Sequence, residues 1–562
     1  MKYLVLIFTP FFFFGNVTAH SQEEVEHFYF HVNIADTEAF IVKEKRDGTF
    51  TIKNKNDKNE TAIYEKYNIF QFKIAFPNTD RKLLKTVHTI ETDNVELLSR
   101  LKNKFPNKYT RIDQFYPAKN PYYPNDYGTT SAVENKGNKY PSYDLDLIQA
   151  ADAWSITRGN KKVIVGISDS KVDSLDPDLK GRVSNYLSYN NSKKGISCSH
   201  GTNIAGTAIG RMDNAYGRPG ICSGCDVIAH SYGTMEKIEE LVAAGAKVIN
   251  TSWAMCKMGG NYSQNINERI KEYYDDGIII VAGAGNGRDC NRDGIKIGDS
   301  LYPASYDRVI SVTGTYLGNT FETDEVFPDK EGRLMTKRMN DRRNGYFYIE
   351  EDGTLTPNDP EKGMQVNKAI DLLAPAEGYL LGADICGKEN PYGGASSNAA
   401  PYVTGTIGLM WSVNYCLTAY EVETILKQTS DAIEHLNGNE IFVGMLGAGR
   451  LNTYRAVEMA NELKNPFGNV TFKNRDFYRF EFTISSAPNT ITLQNQTFRD
   501  DATVDFKAKE SIVLKSGTRI APNKRGFAKL SIDPTIEIKE CEPTPPKKYG
   551  SYKDLSTNNK PQ

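Results

Sequence analysis

Long apolar runs are missing from this chain of 562 residues. Its longest apolar stretch, Tyr3 to Phe14, falls short of the roughly 20 residues a membrane-spanning helix requires. With Lys2 ahead of it and the small residues Val17-Thr18-Ala19 behind, that stretch reads as a secretory signal over residues 1–19. Export to the periplasm, the cell surface or the medium is therefore expected, with no integral membrane segment after signal removal. An excess of charge of one sign is also lacking. Lys and Arg number 68 against 70 Asp and Glu, a net charge of -2, so nothing argues for nucleic acid or an acidic membrane as partner. Histidine is scarce, seven in all, which limits the candidates for a catalytic base. Zinc-type cysteine spacing is lacking too, because Cys222-Ser223-Gly224-Cys225 has no second Cys or His pair at ligand distance along the chain. Eight cysteines in an exported protein point instead to disulfides whose pairing sequence leaves open. Cys541 stands far from the other seven, either free or paired across domains.

What is present divides into regions. Residues 20–120 alternate polar and apolar positions at His27-Phe28-Tyr29-Phe30-His31 and Ile69-Phe70-Gln71-Phe72-Lys73-Ile74, the period of strands. Val95, Leu97, Leu98 and Leu101 have helical spacing behind a cap at Asp93 or Asn94. A turn-rich linker, Pro117 to Tyr140, follows. Beyond it the apolar segments Val163–Ile167, Val227–Ala229, Val248–Asn250, Gly277–Val281 and Val309–Val312 alternate with helical stretches. That pattern predicts an α/β fold with a parallel sheet buried on both faces and its ligand site at the carboxyl ends of the strands.

Four motifs carry chemistry: Ile167-Ser168-Asp169-Ser170, Ser199-His200-Gly201-Thr202, Val281-Ala282-Gly283-Ala284-Gly285-Asn286 and Ser397-Asn398-Ala399-Ala400-Pro401. In chain order they offer an acid, a base, an amide donor and a hydroxyl nucleophile, one of the orders in which the acyl-transfer triad occurs. These motifs closely resemble those of the subtilisin-like serine proteases. The resemblance implies a subtilisin-like three-layer core with a mostly parallel sheet, preceded by a small α+β propeptide and followed by a small β-rich module. It also implies a serine endopeptidase acting on polypeptides through an acyl-enzyme, made as a self-processed precursor.

Within the resemblance, Asp169 holds His200 in the required tautomer, and His200 takes the proton of the nucleophile. Register decides between the two serines. The family has Ala two and Pro four residues after its serine, then Val and Gly, and Ala399, Pro401, Val403 and Gly405 match Ser397. Asn286 donates to the oxyanion. Ser252, Trp253 and Ala254 form one edge of the substrate cleft, and Ala284 and Gly285 line the primary pocket. Ala254, Met255 and Leu301 stand where glycines are usual, which predicts a narrowed pocket with a preference other than large aromatic residues. Asp178 and Asn214 match the carboxylate and loop of the family's calcium site, so structural calcium is the one cofactor implied. Cys256 and Cys290 lie four residues beyond Ser252 and Asn286 and are expected to bridge; the alternative pairs Cys290 elsewhere. Lys171 and Ala395 depart from the family pattern. They motivate the rival reading, an inactive relative serving as a binding scaffold.

The expected organisation is thus a signal over 1–19, a propeptide-like region over 20–120 and a peptidase domain over 121–463 with an insertion at 316–366. A β-rich module over 464–540 and a disordered tail over 541–562 complete it. The insertion has strongly mixed charge and a hairpin signal at Asp352-Gly353. A monomer is expected.

Overall fold

The computed structural model describes residues 28–75, 85–94, 96–115, 121–128, 142–187, 199–231, 235–255, 262–286, 298–315, 325–328, 333–337, 346–349, 351, 355–357, 364–376, 395–435, 439 and 442–541. The signal segment, Cys256, Cys290 and residues 542–562 lie outside these residues. The apolar segments of the middle region form a seven-stranded sheet. Its strands are β1 (Ile164–Asp169), β2 (Val183–Leu187), β3 (Asp226–Ser231), β4 (Val248–Thr251), β5 (Ile279–Gly283), β6 (Val309–Thr315) and β7 (Leu372–Pro375). All neighbours are parallel, in the order β7-β6-β5-β4-β1-β3-β2. The edge strands β2 and β7 are additions to the five expected from the sequence. Among the described residues no helix is long and apolar enough to cross a membrane.

Strand periodicity distributes the apolar residues to two faces. Val165, Ile167, Val248, Ile279 and Val281 point into one cluster with helices α1 (His200–Ile209) and α4 (Ser396–Val413). Ile249, Ile280 and Ala282 point into the other with α2 (Met235–Ala243) and α3 (Gln264–Asp275). Each Val or Ile sealed there contributes about 1.5–3 kcal/mol by leaving water. Ahead of β1 lie two short helices, Tyr143–Leu147 and Ala150–Trp154, kept apart by Gln149, which adopts φ 56°. Strand order reverses about β1, which sits between β3 and β4. The carboxyl ends of β1, β4 and β5 therefore open onto a switch-point crevice.

The N-terminal unit forms its own body. Its four antiparallel strands run in the order Ile69–Ile74, Val87–Thr92, Phe28–Ile34, Tyr109–Phe115. Glu96–Lys104 is helical, with Leu97, Leu98 and Leu101 buried and the Glu96 amide donating to Asn94 Oδ1 at 2.8 Å. Within the insertion, four strands form an antiparallel meander. Tyr346–Ile349 pairs with Leu355–Pro357 on either side of Asp352-Gly353.

The C-terminal module differs from the separate tail its sequence suggested. Nine strands stack as three coils of three, every pairing parallel: Asn469–Lys473 under Thr490–Gln494 under Ser511–Leu514, and likewise around the other two sides. This is a short β-solenoid. Asn474, Asn495 and Gly517 turn the same corner of successive coils with φ of 61°, 49° and 79°, and Asn495 Nδ2 donates to Asn474 Oδ1 at 3.2 Å. Val470, Phe472, Phe482 and Ile484 of the first coil join the hydrophobic cluster that contains α4, so module and peptidase share one core. Polar contacts fix the joint. The Thr483 and Ser485 amides donate to Thr424 Oγ1 and Glu421 Oε1 at 2.7 and 2.9 Å on helix α5 (Ala419–Thr429). A Cys416–Cys541 disulfide ties the end of the module to the residues just past α4, so Cys541 pairs across regions. Cys222 and Cys225 are joined to each other and fully buried.

Candidate active site

β1 delivers Asp169 to the crevice floor, where its carboxylate is completely buried. His200 opens α1 behind the N-cap Ser199, whose hydroxyl accepts the Thr202 amide at 3.4 Å and donates to the Lys171 carbonyl. Gly201 must be glycine, because a Cβ there would lie 2.0 Å from the Ser170 carbonyl oxygen. That close approach brings the imidazole onto the acid. His200 Nδ1 lies 2.8 and 3.0 Å from the two Asp169 oxygens. A carboxylate accepts only, so Nδ1 carries the proton and Nε2 is left as the acceptor of the neutral ring. The His200 side chain is 44% exposed and faces the crevice opening. Lys171, a departure from the family pattern, serves the arrangement through its main-chain carbonyl.

Two serines begin α4, and their surroundings differ. Ser396 is buried and its Oγ accepts the Gly285 amide at 3.0 Å. Ser397 is partly exposed, and its carbonyl accepts Ser252 Oγ at 2.9 Å. Ala395 at the N-cap supplies no side-chain acceptor; the Ser396 amide of this eighteen-residue helix goes to Asn286 Oδ1 at 2.9 Å and the Asn398 amide to the Ala395 carbonyl at 3.0 Å, while the positive dipole end of the helix lies at Ser397. Ala395, the other departure from the family pattern, carries no backbone strain. Its φ of -157° is ordinary extended backbone, open to any residue.

Asn286 follows β5 and is held by its own amide oxygen, which accepts the Ser396 main-chain N–H at 2.9 Å. A main-chain donor requires an oxygen there, which settles the amide orientation and turns the NH2 to the other side. The loop is supported from behind as well. Gly285 O accepts the Gln365 amide at 2.8 Å, and Asn286 forms an antiparallel bridge with Met364, where the chain returns from the insertion.

Sequence reasoning gave no role to Asn250, Ser168 or Gln365. Asn250 is completely buried in β4. Its Nδ2 donates to Ser252 Oγ at 2.8 Å and its Oδ1 accepts Thr404 Oγ1 of α4 at 3.1 Å, tying the cleft edge to the serine helix. Ser168 Oγ accepts the Trp253 indole N–H at 3.2 Å and fixes that ring. A buried Asn inside an apolar strand was the available signal for the first of these.

The pocket residues also converge. Ala284 is buried, and Gly285, with φ +99°, faces Leu301 so closely that a Cβ on Gly285 would lie 2.2 Å from Leu301 Cδ1. Ala254 stays partly exposed, and the next residue, Met255, donates its amide to Tyr302 O at 2.7 Å. Leu301 thus occupies the space beside Gly285.

Asp178 and Asn214 meet at a second place. Asn214 Nδ2 donates to Asp178 Oδ1 at 2.6 Å and the Arg218 amide donates to Oδ2 at 3.3 Å. Burial pushes the Asp178 carboxyl up to about 8 and that of neighbouring Asp126 up to about 6. Two residues from the linker ahead of the core also meet this loop: Asn125 Oδ1 accepts the Ala215 amide at 2.8 Å and Asp126 Oδ1 accepts the Asp213 amide at 3.3 Å. Buried carboxyls that repel one another fit a hard cation, but Asn214 turns its NH2 to Asp178 and its oxygen accepts the Tyr216 amide at 3.1 Å, so an ion would have to reverse that side-chain amide to be held by it. No three acidic, histidine or cysteine side chains converge among the described residues, so main-chain carbonyls would have to complete the ligand set.

Comparison with known proteins shows the family. The Subtilase family model matches residues 160–462. A thermophilic serine proteinase of Bacillus sp. (strain AK1) is 24% identical over 396 residues, 68% of this chain and 80% of the relative. The cell wall-associated protease of Bacillus subtilis (strain 168) is 26% identical over 56% of this chain and 30% of the relative. A calcium-dependent protease of Nostoc sp. is 25% identical over 55% of this chain and 48% of the relative. The chain therefore spans less than half the length of the last two. With more than half of its own length matched, the chain belongs to the subtilase family of serine endopeptidases.

Proposed function

We propose that this chain is an exported endopeptidase in which Ser397 attacks the scissile carbonyl carbon and His200 Nε2 takes the hydroxyl proton. The observation that carries the reading is the buried Asp169 carboxylate on His200 Nδ1 at 2.8 and 3.0 Å, which holds the base in the required tautomer. The negative charge formed on the carbonyl oxygen falls to the Asn286 NH2 and the Ser397 main-chain N–H at the start of α4. Collapse of the tetrahedral species passes the proton from His200 to the leaving amine and leaves an acyl ester on Ser397. Water then repeats the sequence with His200 again as base and releases the new carboxyl group. Substrate lies along the Ser252–Ala254 edge and beside Ala284–Gly285 as an added strand. Leu301 limits the residue on the acyl side to a small one. Hydrolysis of casein with simultaneous labelling by a fluorophosphonate tests this reading. A folded protein that does neither would contradict it.

The N-terminal unit acts in this reading as a propeptide removed by self-cleavage, supported by its place ahead of the peptidase and by its separate core. Export is supported by the leader-like residues 1–19 and by a relative named for the cell wall. Asp178, Asn214 and Asp126 hold calcium in this reading. Such an ion would return the Asp178 carboxyl to its charged form and brace the loop that follows α1.

A further inference from the structure

The far end of the solenoid is cut open. Residues of the third coil stand directly over buried residues of the second: Leu514 over Leu493, Ile520 over Phe498, Ile532 over Ala508. The lower members are completely buried, whereas Leu514 is 54% and Ile532 50% exposed. The apolar column of the interior therefore continues to the last coil and ends in solvent, where repeat proteins ordinarily place a polar cap. All three strands of that coil, Ser511–Leu514, Arg519–Pro522 and Phe527–Ile532, are the outermost of their sheets among the described residues. Their outer edges present main-chain donors and acceptors, the groups that an added strand uses.

Charge decides what fits. Residues 511–533 carry Lys515, Arg519, Lys524, Arg525 and Lys529 against Asp533 alone, a net of +4. Arg525 and Lys529 reach down to Asp501 and Asp505 of the second coil, and Lys515, Arg519 and Lys524 are exposed. A second copy of the same coil would meet like charge. So would residues 542–562, which hold four lysines against Glu542 and Asp554 and three prolines near their start. We infer that this end docks an acidic polypeptide strand of alternating apolar and carboxylate residues, which adds as a fourth coil. Apolar side chains of that strand cover Leu514, Ile520 and Ile532, and its carboxylates meet Lys515, Arg519 and Lys524. Main-chain pairing selects a polypeptide over a lipid surface of equal charge.

The test uses the full chain carrying Ser397→Ala and a fluorescein-labelled peptide of alternating valine and glutamate, read by fluorescence polarisation. Saturable binding is expected. It should weaken by at least about tenfold when salt is raised from about 0.1 to about 1 M, which shortens the Debye length from about 10 to about 3 Å. The alternating valine–lysine peptide should not bind. Leu514→Asp and, separately, the surface pair Lys515→Glu with Arg519→Glu should each abolish binding. With Ser397 restored, both variants should keep wild-type labelling by fluorophosphonate, which shows that the core is intact. Equal binding of the basic peptide, or no saturable binding, overturns the inference. So does competition by phosphatidylglycerol vesicles as effective as by unlabelled peptide. A dimer in sedimentation that Leu514→Asp dissolves would assign the end to a second copy. Tighter binding after removal of residues 542–562 would assign it to the chain's own tail. Either result contradicts the inference.

Discussion

The Ser396 main-chain amide donates to Asn286 Oδ1 at 2.9 Å, so the residue preceding the candidate nucleophile orients the candidate oxyanion donor. Ser396 also receives the Gly285 amide on its hydroxyl, and the two bonds lock the β5 loop to the start of α4. Replacing Asn286 with Ala removes a donor that acts only as charge develops on the substrate oxygen. A fall of about 10²–10³-fold in kcat with little change in KM is expected, the range known for this donor in subtilisin itself. Steady-state kinetics on one peptide substrate check it; a loss confined to KM would contradict the role.

Ser252→Ala breaks two bonds at once, to the Ser397 carbonyl and from Asn250 Nδ2. The buried Asn250 amide then has one donor fewer satisfied, which costs about 1–3 kcal/mol. Urea unfolding should show a loss of that size together with reduced kcat. Unchanged stability would mean that the Asn250–Ser252 link is not maintained in solution.

Leu301→Gly empties the space beside Gly285. Cleavage after phenylalanine relative to cleavage after alanine should rise at least about tenfold in kcat/KM, since each methylene-sized change in a pocket is worth about 1–3 kcal/mol. Paired chromogenic peptides differing only at that residue report the ratio. An unchanged ratio would place the pocket elsewhere.

Asp178 gives a pH dependence whose sign follows from burial. Its folded carboxyl is raised to about 8 against about 3.9 unfolded, so without a cation the folded state binds more protons between those values. Stability then falls as pH rises from about 4 to about 8. Calcium binds the charged form, so the ion should raise Tm more at pH 8 than at pH 5, and Asp178→Asn should abolish the difference. Thermal unfolding with calcium and with chelator checks both. A calcium effect that survives Asp178→Asn would put the ion elsewhere.

Much of the core was legible because strand and helix periods are local. Val163–Ile167 and Val248–Asn250 show their burial in composition alone, and the positions of His200 and Ser397 at helix starts follow from the small residues and proline behind them. The edge strands Val183–Leu187 and Leu372–Pro375 escaped, since their pairing comes from neighbours remote in sequence. The solenoid was missed for another reason. Val470, Ile491 and Ile512 recur every 21 residues, as do Phe477 and Phe498, a period visible only by comparing the module with itself. In the site, Asn250 and Ser168 went unassigned because their partners, Thr404 and Trp253, come from separate elements.

The central claim is that Ser397, and not its neighbour, is the nucleophile activated by His200. Fluorophosphonate labelling of wild type, Ser396→Ala and Ser397→Ala, with the modified peptide located by mass spectrometry, tests it most directly. Labelling on Ser397 is expected in wild type, retained in Ser396→Ala and lost in Ser397→Ala, with casein hydrolysis following the same pattern. Labelling of Ser396, or activity that survives Ser397→Ala, would contradict the account.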